Sequence, residues 1–147
     1  LGYYKDAKKT AETFRILDGT RYVVSGDYAT LEADGTITFL GRGNVSINSG
    51  GEKVYPDEVE RVLMQHPAVA EAAVIGMPDP RLGEIVCSLV RLQQPATADE
   101  LIAFVKSRLA SYKAPKRINF VDAVPRHPNG KLDYRAAKRE ADRLAPG

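Results

Sequence analysis

Four short polar stretches in this sequence carry side chains that no helix or strand requires, and each could do chemistry. Ser25-Gly26-Asp27 sets a carboxylate at a turn, where two acceptor oxygens suit the vicinal hydroxyls of a ribose. Taken alone, an Asp in that place is a turn cap. Gly41-Arg42 offers a guanidinium, whose fixed fork of donors fits phosphate or ribose oxygens better than an ammonium does, although a lone Arg beside a loop is a surface charge. Ser49-Gly50-Gly51-Glu52-Lys53 brings bare backbone and a cation together, suited to flanking an extended ligand or simply to turning between two strands. Pro125-Arg126-His127-Pro128-Asn129-Gly130-Lys131 demands a tight turn that holds Lys131 outward. An ammonium there is ordinarily a solvated charge; as a catalyst it would stabilise oxyanions that develop during transfer at phosphorus.

Composition narrows what these residues can serve. The 147 residues suffice for one domain, or for a small domain and the tail of another. Twenty-one basic against nineteen acidic residues leave a net charge of +2, which argues against a nucleic-acid-binding domain. No apolar run approaches the roughly 18 residues that span a membrane. The single cysteine, Cys87, lies in an apolar run and reads as a core residue; it fits a reducing compartment, the cytoplasm, and leaves membrane association of a parent protein open. His66 and His127 lack metal-ligand company, so no metal site is expected. The opening Leu1-Gly2-Tyr3-Tyr4 has neither an initiator Met nor a signal-peptide pattern, so the chain reads as a fragment. Nothing in the composition opposes a homo-oligomer.

The elements that must position these residues follow from pattern. Residues 6–14 read as a short helix with Asp6 as N-cap. Strands are expected over 22–24 and 28–33, with Asp34-Gly35 as a hairpin signal. This piece is too small to bury both faces of its sheet and belongs to a larger body. Residues 41–51, with four glycines, read as a linker and a tight turn. Pro56 opens a helix with a Val59, Val62, Leu63 stripe; strands follow over 69–76 and 85–92. Thr97-Ala98-Asp99-Glu100 is a capping box ahead of Leu101, Phe104, Val105 and Leu109; residues 118–121 form a last strand, and Tyr134, Ala137 and Ala141 mark a terminal helix. The expected fold class is α+β, in two parts: residues 1–43, the β-rich end of a larger N-terminal domain, and residues 44–147, a small domain with helices packed on a short sheet.

In their order and spacing these stretches resemble the adenylate-forming superfamily of acyl-CoA synthetases, nonribosomal adenylation domains and luciferases. The resemblance runs the length of the chain. It rests on Tyr3-Tyr4-Lys5-Asp6 with Thr10 and Phe14, Ser25-Gly26-Asp27, Gly41-Arg42, the run from Gly50 to Glu60, His66-Pro67-Ala68-Val69, the run from Pro78 to Glu84, Tyr112-Lys113-Ala114-Pro115-Lys116, and the run from Pro125 to Lys131. It implies a small C-terminal lid domain and a two-step reaction. A carboxylate first attacks the α-phosphate of ATP, used with Mg and bound mainly by an upstream domain, to give an acyl-adenylate and pyrophosphate. A thiol, usually coenzyme A, then takes the acyl group. By the same resemblance Asp27 holds the ribose hydroxyls, Arg42 contacts ribose and phosphate, and Lys131 is the adenylation lysine. Gly50 and Gly51, with Glu52 and Lys53, lie on the loop near the pantetheine arm, and Asn44 falls at the hinge of the lid. The phosphate-binding loop and the acid pocket are expected upstream, so the 147 residues alone should not adenylate anything.

The sequence departs from the family pattern in places. The hinge is usually Asp rather than Asn44, Val24 replaces a basic or aromatic residue, Asn48 stands where Lys is common, and the tail runs Gly-Lys-Leu-Asp-Tyr-Arg. These features look like the actinobacterial acyl-CoA synthetases of lipid and steroid degradation. Other readings are a carrier-protein-dependent adenylation domain, an inactive binding module of the same fold, and a plain α+β domain whose glycine loops are connectors. The presence of Asp27, Arg42 and Lys131 together speaks against the inactive module.

Overall fold

The computed structural model describes residues 2–42 and 45–146. The chain divides into two compact units, residues 1–44 and 45–147, and each is described by itself.

The first unit opens with helix α1 (Ala7–Thr13), capped as expected by Asp6, whose side chain accepts from the Lys9 N–H. The helix ends one residue before the expected Phe14. Phe14–Leu17 is instead a strand, β1, paired antiparallel with β2 (Thr20–Val23). Asp18 and Gly19 close this hairpin with φ of 49° and 77°, and positive φ at both central residues is the signature of a type I′ turn. A second antiparallel pair joins β3 (Asp27–Leu31) to β4 (Ile37–Arg42). Its loop is longer than a two-residue Asp-Gly turn: Glu32 N–H donates to the Thr36 carbonyl, and Gly35 takes φ of 84°. Within this unit Ile16, Leu17, Val23, Leu31 and Ile37 are all exposed, as expected of a piece that cannot cover its own apolar side chains.

The second unit holds a five-stranded sheet in the order β6-β5-β8-β7, with β9 also on β8. Strands β5 (Ile47–Ser49) and β6 (Glu52–Val54) form a minimal hairpin. Strands β7 (Val69–Asp79) and β8 (Gly83–Leu92) form a long antiparallel ribbon, extending past the expected ends at 76 and 85. Strand β9 (Arg117–Phe120) runs parallel to β8, reached through helix α3 (Ala98–Lys106). The far edge of β7 meets no strand among the described residues. That explains why β7 continues through Pro78: Val74 N–H points away from β8, so Pro78, four residues on, also has its N directed outward and removes no ladder bond.

Side chains alternate across this ribbon as the pleat demands. Ala72, Val74, Val86 and Val90 face helix α2 (Pro56–Leu63) and α3, in a cluster with Val59, Leu63, Leu101 and Val105. Ile75, Met77, Cys87 and Leu89 face the other way, against Ala137 and Ala141 of helix α4 (Tyr134–Arg143). Pro56 takes the first helical position of α2, and the Thr97–Glu100 capping box forms in both directions. Helix α4 is capped by Asp133, whose carboxylate accepts from the Ala136 N–H. Cys87 is fully buried, and that burial pushes its thiol pKa up, which suits a core residue and disfavours a thiolate.

Candidate functional site

The Lys131 loop is a small hairpin built from residues that leave little freedom. Arg126 and Leu132 form an antiparallel bridge. The His127 N–H donates to the Lys131 carbonyl at 2.8 Å, the Gly130 N–H donates to the His127 carbonyl at 2.9 Å, and the Lys131 N–H donates to Asn129 Oδ1 at 3.0 Å. Gly130 takes φ of 83°, a left-handed conformation open to glycine at little cost. Main chain around Lys131 is thus fixed from both sides. Its side chain is exposed, and among the described residues its ammonium forms no hydrogen bond or ion pair.

The hairpin is tied to the sheet by charge. Arg126 Nε donates to Glu71 Oε1 on β7 at 2.6 Å, and Glu71 Oε2 lies 3.5 Å from Arg91 Nε on β8. The Arg126 hydrogen bond holds the Glu71 carboxyl below the usual carboxylate range. Nearby, Glu60 of α2 accepts from the Val74 N–H at 2.8 Å; burial raises its pKa against the lowering effect of that bond. His127 Nδ1 stands 3.8 Å from Asp133.

The Gly50-Gly51 turn lies at the other end of the same ribbon. Its φ values, 62° and 88°, again mark a type I′ turn between paired Ser49 and Glu52. The Gly50 N–H donates to the Leu82 carbonyl at 2.9 Å, and Asp79 Oδ1 accepts from the N–H groups of Arg81 and Leu82, which fixes that partner loop. Glu84 reaches across Gly76 to accept from the Asn48 N–H at 3.0 Å; a Cβ on Gly76 would sit 2.7 Å from its carboxylate. Glu52 and Lys53 are exposed. Beside the turn a cleft of about 330 Å³ is lined by Asp79, Arg81, Leu82, Ile85 and Lys116. Arg81 and Lys116 give it positive charge, which the motif reading did not single out as a feature of the site.

In the first unit the register of β3 and β4 sets Asp27 opposite Arg42. Two candidates 15 positions apart in sequence thus become neighbours on one hairpin. Asn44, the expected hinge, lies outside the described residues. Three motif residues turn out to do structural work. Lys113 Nζ contacts both oxygens of Glu58, at 2.7 and 2.9 Å, tying the turn before β9 to α2, and Glu60 accepts from an edge N–H. Among the described residues no group of three or more His, Cys, Asp or Glu side chains could hold a metal ion.

The family model for the AMP-binding enzyme C-terminal domain matches residues 58–131, half of the chain and ending on the exposed lysine. The chain belongs to this family. The matched stretch runs from helix α2 to Lys131, within the α+β second unit. Among curated relatives of this C-terminal domain chain, a medium/long-chain-fatty-acid–CoA/3-oxocholest-4-en-26-oate–CoA ligase of Mycobacterium tuberculosis is 57% identical over 145 residues, covering 97% of this chain and 26% of the relative. The 3-oxocholest-4-en-26-oate–CoA ligase of Rhodococcus rhodochrous is 58% identical over 140 residues, covering 94% of this chain and 25% of the relative. Among solved structures, the o-succinylbenzoate CoA synthetase of Bacillus subtilis, in complex with its acyl-adenylate intermediate, superposes with a TM-score of 0.78 at 34% identity, over 99% of this chain and 28% of that one. The chain therefore spans about a quarter of the length of the curated ligases it matches.

Proposed function

We propose that this chain is the C-terminal portion of an ATP-dependent acyl-CoA synthetase, an acid–thiol ligase that activates a fatty or steroid-derived acid as acyl-AMP and passes it to coenzyme A. Residues 1–43 then close a large N-terminal domain and residues 44–147 are its lid. The observation that carries this reading is Lys131: an ammonium without a protein partner among the described residues, on a hairpin whose main chain is fixed. The acid class is supported by the names of the relatives at 57% and 58% identity.

In the first half-reaction a substrate carboxylate oxygen bonds to the α-phosphorus of ATP, and the bond to the bridging oxygen breaks to release pyrophosphate. Negative charge grows on the phosphoryl oxygens as this happens, and Lys131 Nζ supplies a counter-charge placed beforehand. Asp27 accepts from the ribose hydroxyls and Arg42 donates to ribose and phosphate oxygens. ATP, with the Mg that accompanies it in this chemistry, is bound mainly by the upstream domain. In the second half-reaction the thiol sulfur attacks the acyl carbon, AMP leaves, and the thiol proton is lost to solvent or base. Gly50 and Gly51 present main chain without side chains to the pantetheine arm, Glu52 and Lys53 flank it, and Arg81 and Lys116 offer charge to the phosphates of coenzyme A. Asn44 serves as the hinge that exchanges the two loops. A cytoplasmic setting belongs to the same reading.

The test is made on the full-length protein. ATP–pyrophosphate exchange is expected with fatty acids or with a steroid side-chain acid, with coenzyme A as acceptor. Exchange that persists at wild-type rate in Lys131→Ala would overturn the assignment of the lysine. Acyl transfer to a phosphopantetheinyl carrier protein but not to coenzyme A would overturn the acceptor.

A further inference from the structure

Lys131 projects from the exposed tip of a hairpin that meets the core through partly buried Leu132 at its base, so the tip itself needs a further tie to the sheet. The described contacts supply one continuous chain of bonds. Glu71 Oε1 accepts from Arg126 Nε at 2.6 Å, and Arg126 Nη1 donates to the carbonyl oxygen of Gly130 at 3.1 Å. The guanidinium is planar, so its two N–H directions are rigidly related, and fixing one end fixes the other. The Gly130 carbonyl belongs to the peptide group whose nitrogen is that of Lys131. A carboxylate on β7, 55 residues away in sequence from its arginine, thereby orients the peptide plane from which the lysine springs.

We propose that Glu71 is a positioning residue for Lys131, acting through Arg126. This rests on Lys131 being the adenylation lysine. Neither Glu71 nor Arg126 touches substrate in this proposal. Both side chains are partly exposed, 25% and 39%, and ion pairs at such sites add little to stability. The contribution of the pair is therefore geometric. Arg91 gives Glu71 a second cationic neighbour and keeps the carboxylate from swinging away. Hydrogen bonding from Arg126 also holds the Glu71 carboxyl below the usual carboxylate range.

The experiment measures the two half-reactions separately in the full-length enzyme: pyrophosphate exchange for adenylation, and transfer from a chemically prepared acyl-adenylate to coenzyme A. Glu71→Ala is expected to lower the adenylation kcat by roughly tenfold to a hundredfold, the cost of misplacing a catalytic group by about 1 Å. KM for ATP and the transfer rate should stay within about twofold to threefold, because ATP is bound mainly elsewhere and transfer does not use the lysine. Glu71→Gln, which keeps an acceptor, should recover part of the loss, and Arg126→Gln should reproduce it. In a Lys131→Ala background Glu71→Ala should add nothing to the adenylation defect. The proposal is overturned by an adenylation rate unchanged in Glu71→Ala, by equal loss in both half-reactions, or by a full additional loss in the Lys131→Ala background. If Glu71→Ala fails to fold, the same readouts on Arg126→Gln decide. Unimpaired adenylation in Lys131→Ala would instead sink the reading of the lysine itself.

Discussion

The two candidate loops of the second unit hang from opposite ends of one ribbon and are held there by different forces. Glu71, near one end of β7, grips the Lys131 hairpin through a side-chain ion pair with Arg126, and the hairpin is closed on itself by one backbone bridge, Arg126 to Leu132. Asp79, at the other end roughly 26 Å away along the strand, helps hold the Gly50-Gly51 turn through N–H groups, glycine φ values and strand pairing. One loop presents a charge on an electrostatic mount; the other presents bare main chain on a backbone mount. Charge substitutions should therefore separate the half-reactions in one direction and added Cβ atoms in the other, whereas damage to the shared ribbon should not separate them.

The largest expected effect is that of Lys131→Ala. Losing a preplaced stabiliser of developing charge typically costs a hundredfold to a thousandfold, about 3–4 kcal/mol, so adenylation should fall by roughly that factor while transfer from preformed acyl-adenylate stays within a few-fold. Next is the ribbon. Leu89, fully buried against α4, should cost about 2–5 kcal/mol when cut to Ala, read as a lower urea midpoint, with both half-reactions declining together near the new transition. Gly50→Ala should be milder and opposite in selectivity. Its φ of 62° is unfavourable for Ala by about 1–2 kcal/mol, and the new Cβ would stand 3.1 Å from a Leu82 methyl, so transfer to coenzyme A should suffer more than adenylation.

Smallest are the pH effects, and the two carboxylates around Arg126 have opposite signs. Glu71 has a lowered pKa when folded, so its contribution is present above the ordinary value of 4.5 and is lost as pH falls through the folded value. Glu60 has a raised pKa, so the folded state holds its proton more tightly; stability falls as pH climbs from 4.5 through the raised value. Urea titrations across pH 4 to 7 should show the stability difference between wild type and Glu71→Gln shrinking toward the acid end. For Glu60→Gln, whose amide oxygen still accepts from Val74, the variant should gain on wild type toward neutrality. Parallel curves for the two variants would contradict this assignment of signs.

How much of this was legible in the sequence depends on the range of the interaction. Local chemistry read well. Asp6 and the Thr97 box cap their helices and Pro56 opens its own as expected, and Gly50-Gly51 makes a turn between strands. The dipeptide Asp18-Gly19 carries the same hairpin signal as Asp34-Gly35, yet helix propensity through Phe14 obscured the short β1 before it. The ribbon runs past the expected strand ends at 76 and 85 because the outer edge of β7 meets no strand among the described residues and tolerates Pro78, and because Asp79 fixes the turn that follows. Illegible were the pairings set only by tertiary structure. Nothing in the sequence joins Glu71 to Arg126 or Glu58 to Lys113, each 55 residues apart, or sets Arg81 beside Lys116. Lys131 and Asp27 were found by motif, and their neighbours only by the fold.

The outward edge of β7 has one further consequence. Val74 offers its N–H to a half-buried carboxylate within the same molecule, and Pro78 has none to offer, so two of the donors that would face a newcomer are already spent or absent. A strand from a second copy approaching that flank would meet Glu60 and a proline ring in place of a free ladder. The fold thus guards the open side of its longest ribbon against runaway edge-to-edge assembly.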